Sequence, residues 1–192
     1  MWTMTTDEED PGMRNLYARH PGGSTGWFIE FGSSYENPHE DGVADAVRRL
    51  EQDGALVKGQ RVLDLATGSG EVWRALRSLG FPSADLVACD PYTGEAFLAR
   101  TGHACRPDSF ADIAAGSLAG LEFDVVICAY ALHLCEGSRL PGVCMALTAV
   151  APELIVVSPH KRPRLSESWG WRLTHDDHDP GFRIRTRRYS SN

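Results

Sequence analysis

No apolar run in the 192-residue chain approaches the ~20 residues needed to cross a bilayer, which excludes a helical membrane span. A Cys-x-x-Cys pair is also missing. The five cysteines, Cys89, Cys105, Cys128, Cys135 and Cys144, are odd in number and mostly sit inside apolar runs, so they read as buried free thiols. The chain does not open with a basic stretch followed by an apolar one. Asp7, Glu8, Glu9 and Asp10 stand where a secretory signal would need that pattern, and the expected location is cytoplasmic. There is no internal repeat and no low-complexity tract. Excess positive charge is absent as well, with a net charge of −7. Residues 160–192 carry eight Lys or Arg against four Asp or Glu, which leaves the remainder at −11. An acidic body disfavours nonspecific adhesion to nucleic acid, whose affinity comes largely from cations that neutralise phosphates.

What is present fits one compact domain: 42% of residues are apolar and 23% charged, ordinary values for a soluble globular protein. Residues 1–36 lack sustained periodicity and gather Trp27, Phe28, Phe31 and Tyr35 towards their end. Residues 1–39 are therefore expected to be a cap or lid, and 40–192 the domain proper. Between 40 and 53, Val43, Ala46, Val47 and Leu50 recur at helical spacing, with Gly54 just beyond. The segment 61–65 (RVLDL) reads as a strand, followed by Ala66-Thr67-Gly68-Ser69-Gly70 and a helix to Leu79. The pattern repeats with a strand at 86–90, a helix at 93–100, a weaker strand at 103–106, and strands at 123–129 and 154–158 with a helix at 139–150 between them. Apolar strands alternating with helices imply a parallel sheet covered on both faces. The alternating segments 171–174 and 182–189 flank Asp179-Pro180-Gly181, which suggests a closing antiparallel hairpin.

In an open parallel sheet, ligands bind beyond the carboxyl ends of the strands, and the first strand-to-helix turn approaches them most closely. Gly68 and Gly70 occupy that turn, where a backbone without Cβ can bend sharply and aim N–H groups at a ligand. Asp90, twenty-six residues after Asp64, ends the second strand, where a carboxylate can accept hydrogen bonds from two ribose hydroxyls. Taken singly, the glycines could be an ordinary tight turn and Asp90 a helix cap before Tyr92 and Thr93. Together they point to an adenosine-type ligand. A dinucleotide fingerprint would need a third glycine where Trp73 stands. Asp64 beside the turn would repel a pyrophosphate but could help hold an ammonium group, directly or through water.

The stretch Asp64-Leu-Ala-Thr-Gly68-Ser-Gly70, Asp90 at the end of the second strand, and Phe123-Asp124-Val-Val-Ile-Cys-Ala129 resemble motifs of the class I S-adenosylmethionine-dependent methyltransferases, over roughly residues 40–160. The resemblance implies an α/β, Rossmann-like methyltransferase fold: a mostly parallel seven-stranded sheet with a C-terminal antiparallel hairpin. It implies S-adenosyl-L-methionine as cofactor, with Asp64, Ala66, Gly68, Ser69 and Gly70 at the methionyl part. Asp90, with Pro91 and Tyr92, falls at the ribose, and Asp108, Ser109 and Phe110 at the adenine. Ala129 and Tyr35 complete the cofactor set. The chain departs from the family between its fifth and sixth strands, where a crossover helix is normal and only Pro159 to Ser168, with prolines at Pro159 and Pro163, is present.

A sulfonium methyl is already activated, so such an enzyme mainly aligns a nucleophile and excludes water. Tyr130 and His133 follow the strand at 123–129, while Ser158, His160 and Lys161 follow the next. Tyr130, His133 and His160 are the catalytic candidates, against the favoured alternative of a satisfied structural histidine at His133. His160 combines a proton acceptor near neutral pH with adjacent cations. Trp27, His160 and Lys161 are the candidate substrate contacts, against the alternatives of plain aromatic packing and a solvated basic loop. His175-Asp176-Asp177-His178-Asp179 has metal-ligand residue types but falls in the expected hairpin turn, so no metal is expected. The expected reaction is methyl transfer to an O or N atom of a small molecule, with nucleic acid disfavoured and no membrane partner. The alternatives are an RNA or protein methyltransferase using 160–164 and 183–188, and a non-catalytic cofactor-binding subunit. Acceptor and oligomeric state are not legible from the sequence.

Overall fold

A computed structural model describes residues 12–192, so the acidic stretch Asp7, Glu8, Glu9 and Asp10 lies outside the described residues. Six strands form one sheet: β1 (Val62–Leu65), β2 (Leu86–Cys89), β3 (Val125–Ala129), β4 (Glu153–Ser158), β5 (Trp171–Asp179) and β6 (Ile184–Ser191), in the order β2-β1-β3-β4-β6-β5. The first four are parallel, and β6 lies antiparallel between β4 and β5.

Each parallel strand is apolar on both faces because helices cover both. Val62, Val125, Ile127, Ile155 and Val157 pack with Val43, Val47 and Leu50 of α3 (Glu40–Gln52) and Val72 and Leu76 of α4 (Glu71–Ser78). On the other face, Leu63, Leu65, Val126, Cys128, Leu154 and Val156 meet Val143, Cys144 and Leu147 of α7 (Leu140–Thr148). Among the described residues no helix is long and apolar enough to cross a membrane.

The expected strand at 103–106 shrinks to one bridge, Cys89 to Arg106. Gly102 still caps α5 (Gly94–Thr101) in a left-handed conformation, and Pro107 has no N–H for a ladder, so too few residues remain. The sheet therefore has six strands among the described residues where seven are expected. The bridge nonetheless starts 107–110 beside the end of β2, through Asp90 N–H to the Arg106 carbonyl at 2.9 Å.

No full helix joins β4 to β5. Leu165 and Trp169 of the connecting segment pack on the α7 face in its place. Trp171, fully buried, donates its indole N–H to the Cys144 carbonyl at 2.9 Å and anchors the hairpin.

The cluster from His175 to Asp179 lies in β5 and not in the turn. Opposed pairs such as Asp176 with Arg187 and His178 with Arg185 extend the ladder to Asp179. Asp176 accepts hydrogen bonds from Arg164 at 2.9 Å and Arg185 at 2.7 Å. Burial works upward on its carboxyl, but these guanidiniums hold it below the ordinary carboxylate range. Arg187, buried, lies 3.5 Å from Asp176 and donates to the carbonyls of Lys161 at 2.8 Å and Pro163 at 3.1 Å.

The region expected to lack periodicity contains two short helices, α1 (Gly12–Arg19) and α2 (Gly23–Phe31). None of the residues of α2 is fully buried, so no periodic core stripe marks it in the sequence. Its rings pack instead on one another and on Tyr17 and Tyr35.

Candidate functional site

β1 ends in a turn that only small residues can make. Ala66, Gly68 and Gly70 all have positive φ, at 54°, 58° and 94°. A Cβ at Gly70 would stand 2.7 Å from the Thr101 methyl and 3.1 Å from the Phe97 ring, so the turn is pressed against α5. At Gly68 a Cβ would stand 3.1 Å from Glu71 Oε2 and 3.2 Å from the Tyr35 ring, on the side of an open cavity.

That cavity, of about 300 Å³, lies beyond the carboxyl ends of β1, β2 and β3. Its walls include Ala66, Gly68, Asp90, Pro91, Tyr92, Asp108, Ser109, Phe110 and Ala129, with Tyr35 and Tyr130. Tyr17, Ser24, Thr25 and Phe28 of the N-terminal helices and Asn37 after them also line it. The sequence-derived cofactor residues thus converge on one space, with three exceptions.

Asp64 does not line the cavity. Its side chain points to the α4 face of the sheet, where Oδ2 accepts the Thr67 hydroxyl at 2.5 Å and the Trp73 N–H at 3.2 Å. It satisfies a free N–H of the first turn of α4 and so shapes the turn from off the cavity wall. Burial pushes its carboxyl up to about 7, against the hydrogen bond from Thr67. Ser69 is fully buried and binds Glu71 and, at 2.7 Å, Arg100. Gly70 is the left-handed cap of α4.

Asp90 joins the two alternatives open at the sequence level. Oδ1 accepts N–H groups of Tyr92 at 2.9 Å and Thr93 at 3.1 Å, as a cap would, while Oδ2 accepts the Gly68 N–H at 3.2 Å. It also lines the cavity, tying the glycine turn to the end of β2. Burial raises its carboxyl, and the N–H groups of Tyr92 and Gly68 oppose that rise. Asp108 pairs with Arg106 at 2.6 Å. Ser109 caps α6 (Phe110–Ala114), where its hydroxyl and N–H are both engaged with Asp112, so it offers the cavity little polarity.

Tyr130 has φ 56° and stacks on His39 at 5.0 Å between centroids. Burial pushes its phenol up to about 12. His133, His160 and Lys161 do not contribute to the cavity wall. The rings of His133 and His160 lie 4.4 Å apart. Burial, and then His160, lowers His133 to about 4, so it is neutral at pH 7. Trp27 is also outside the wall and packs behind it, 5.1 Å from Phe28 and 6.2 Å from Tyr35. Sequence reasoning missed the wall residues Tyr17, Ser24, Thr25, Phe28 and Asn37, and with them Glu136, Arg139 and Glu71, the last of which is buried.

The roof is docked through Gly32, whose added Cβ would stand 2.6 Å from the Tyr92 carbonyl oxygen. Backbone there cannot step aside, so Gly32→Ala is expected to lift α2 at a cost of about 1–3 kcal/mol. Hydrogen exchange should quicken across 17–35 and stay unchanged in β1, β3 and β4; unchanged exchange throughout would contradict this docking.

No family model matches the chain. An uncharacterized protein of Schizosaccharomyces pombe is 33% identical, over 83% of this chain and 79% of that protein. Solved structures of similar fold include magnesium protoporphyrin IX methyltransferase from Synechocystis with bound S-adenosylmethionine, at 18% identity, covering 98% of this chain and 100% of that one, with a TM-score of 0.58. The N-methyltransferase NodS from Bradyrhizobium japonicum, in complex with S-adenosyl-L-homocysteine, is 14% identical over 85% of this chain and 96% of its own, also with a TM-score of 0.58. Ribosomal protein L11 methylase from Lactobacillus delbrueckii is 16% identical over 82% and 81%, again at 0.58. The chain belongs to one family with the fission yeast protein, and its fold is the Rossmann-like fold of the class I S-adenosylmethionine-dependent methyltransferases.

Proposed function

We propose that this chain is an S-adenosylmethionine-dependent methyltransferase that acts in the cytoplasm and methylates an O or N atom of a small molecule. The observation that carries the reading is the roofed cavity running from Asp108 and Phe110, past Asp90 and Gly68, to Tyr130. Its residues fit the cofactor: a bare backbone at Gly68 leaves space that a Cβ would fill, and the flanking carboxylates disfavour a phosphate-bearing ligand. When bound, S-adenosylmethionine supplies a methyl group already activated on sulfur.

Asp90 holds the ribose hydroxyls, Asp108 and Phe110 the adenine, and the Ala66–Gly68 turn the methionyl part. Tyr17, Phe28 and Tyr35 cover the site and exclude water, which strengthens every polar contact inside it. Tyr130 positions the acceptor at the carboxyl end of β3. His133 and His160 stand after the ends of β3 and β4 but off the cavity wall, so neither is assigned the acceptor's proton, and a methyl already activated on sulfur needs no dedicated base. Lys161 and Trp27 lie off that wall, and Trp27 backs Phe28 and Tyr35.

The small-molecule reading is favoured because part of the charge of the basic segments is committed within the fold. Arg164, Arg185 and Arg187 all converge on Asp176, which lowers the charge available to a nucleic acid. The test is transfer from methyl-labelled cofactor into an extract separated into small and large molecules. Label in the small fraction is expected. Label in RNA or protein would favour the second acceptor class, and cofactor binding with no label in any fraction would favour a non-catalytic subunit.

A further inference from the structure

We infer that Glu71 selects ligands carrying a positively charged amino group at the glycine-turn end of the cavity, an assignment that rests on the cofactor reading above. Its carboxylate is almost wholly buried yet forms part of the cavity wall. Oε1 is turned inward to the Ser69 hydroxyl and to Arg100 at 3.3 Å. Oε2 lies 3.1 Å from where a Cβ on Gly68 would stand, and Gly68 is itself part of the cavity wall.

Arg100 only partly compensates this buried charge, because its other terminal nitrogen binds Glu40 at 2.5 Å. Glu40 also binds Arg74, so two arginines and two glutamates form one network in which Arg100 is the cation that reaches Glu71. A buried carboxylate with one shared cation gains from a second, and an ammonium delivered by the ligand supplies it. Asp64, the acid in the strand, cannot take that role. It lies off the cavity and its Oδ2 serves Thr67 and Trp73. The same carboxylate rejects ligands that would place a phosphate there.

The test compares S-adenosylhomocysteine with 5′-methylthioadenosine, which keeps the nucleoside and lacks the amino-acid end. Binding of both to the wild-type chain and to Glu71→Gln is measured by calorimetry. The variant should bind S-adenosylhomocysteine about ten- to a hundredfold more weakly, as expected for loss of a charge-assisted hydrogen bond, and bind 5′-methylthioadenosine within about twofold of wild type. A wild type that binds both compounds and a variant that loses both equally, or neither, overturns the assignment but leaves the cofactor reading standing. A wild type that binds neither overturns both. Because the variant could fail to fold, a crystal structure of the wild-type complex with S-adenosylhomocysteine gives a second decision. The ammonium nitrogen should lie within hydrogen-bond distance of Glu71 Oε2; its placement on Asp64, or on backbone carbonyls alone, overturns the assignment.

Discussion

Asp90→Ala should weaken S-adenosylmethionine binding by about a hundredfold or more, the largest effect expected of any single substitution in the cavity. Hydrogen bonds to a charged acceptor contribute about 1.5–3 kcal/mol each, and the ribose would lose two. The substitution also strands the N–H groups of Gly68, Tyr92 and Thr93, so part of the loss would come from a loosened turn and the melting temperature should fall. Asp90→Asn separates the two contributions. It keeps one oxygen for the backbone, and it should melt closer to wild type while still binding the cofactor about tenfold more weakly. Calorimetry and thermal unfolding on the same samples check both. Wild-type affinity in Asp90→Ala would remove Asp90 from the ligand set.

Asp64→Asn is expected to do the reverse, leaving cofactor affinity intact while changing how stability depends on pH. Burial raises the Asp64 carboxyl from 3.8 to about 7 in the folded chain. The folded state therefore holds a proton there that the unfolded state gives up above 3.8. The stability contributed by that proton is full at low pH and is lost as pH rises towards 7. An asparagine, which can still accept from Thr67 and Trp73, has no such loss. The variant should gain on the parent between pH 4 and 7 by at most about 1.4 kcal/mol per pH unit, and the difference should flatten above that. His133 acts in the opposite sense, because its lowered value of about 4 destabilises the fold as pH falls below 6.5, but it contributes equally to both proteins and cancels in their difference. Urea unfolding across this range measures the gap. A constant gap, or weakened cofactor binding, would return Asp64 to the cavity.

The fate of Asp64 shows where the sequence is legible and where it is not. Residue order and spacing place the glycine turn, Asp90 and Asp108 beyond the strand ends, because the parallel sheet puts every strand-to-helix turn on one edge. Spacing cannot say which way a carboxylate turns. Within a four-residue strand, Asp64 shares its face with Val62, towards α4, whereas Leu63 and Leu65 point to the other core. Glu71 was hidden for the complementary reason: an acid opening a helix is ordinary on electrostatic grounds, so nothing in its position advertises a ligand.

The helices α1 and α2 escape the periodicity test because their aromatic residues pack on one another and on Tyr92, not as a stripe on the sheet. The C-terminal hairpin was readable from its alternation and its Asp-Pro-Gly turn. Its position was not, since only the observed pairing puts β6 between β4 and β5. The basic segments 160–164 and 183–188 offer a nucleic-acid surface in one dimension, and in three Arg164, Arg185 and Arg187 of them turn to Asp176.

Calorimetric titration of the purified chain with S-adenosylmethionine tests the central claim most directly. Saturable binding of one molecule per chain, competed by S-adenosylhomocysteine and not matched by NAD or ATP, is the predicted result. No heat of binding with either sulfur nucleoside, or an equal response to a phosphate-bearing nucleotide, would contradict it.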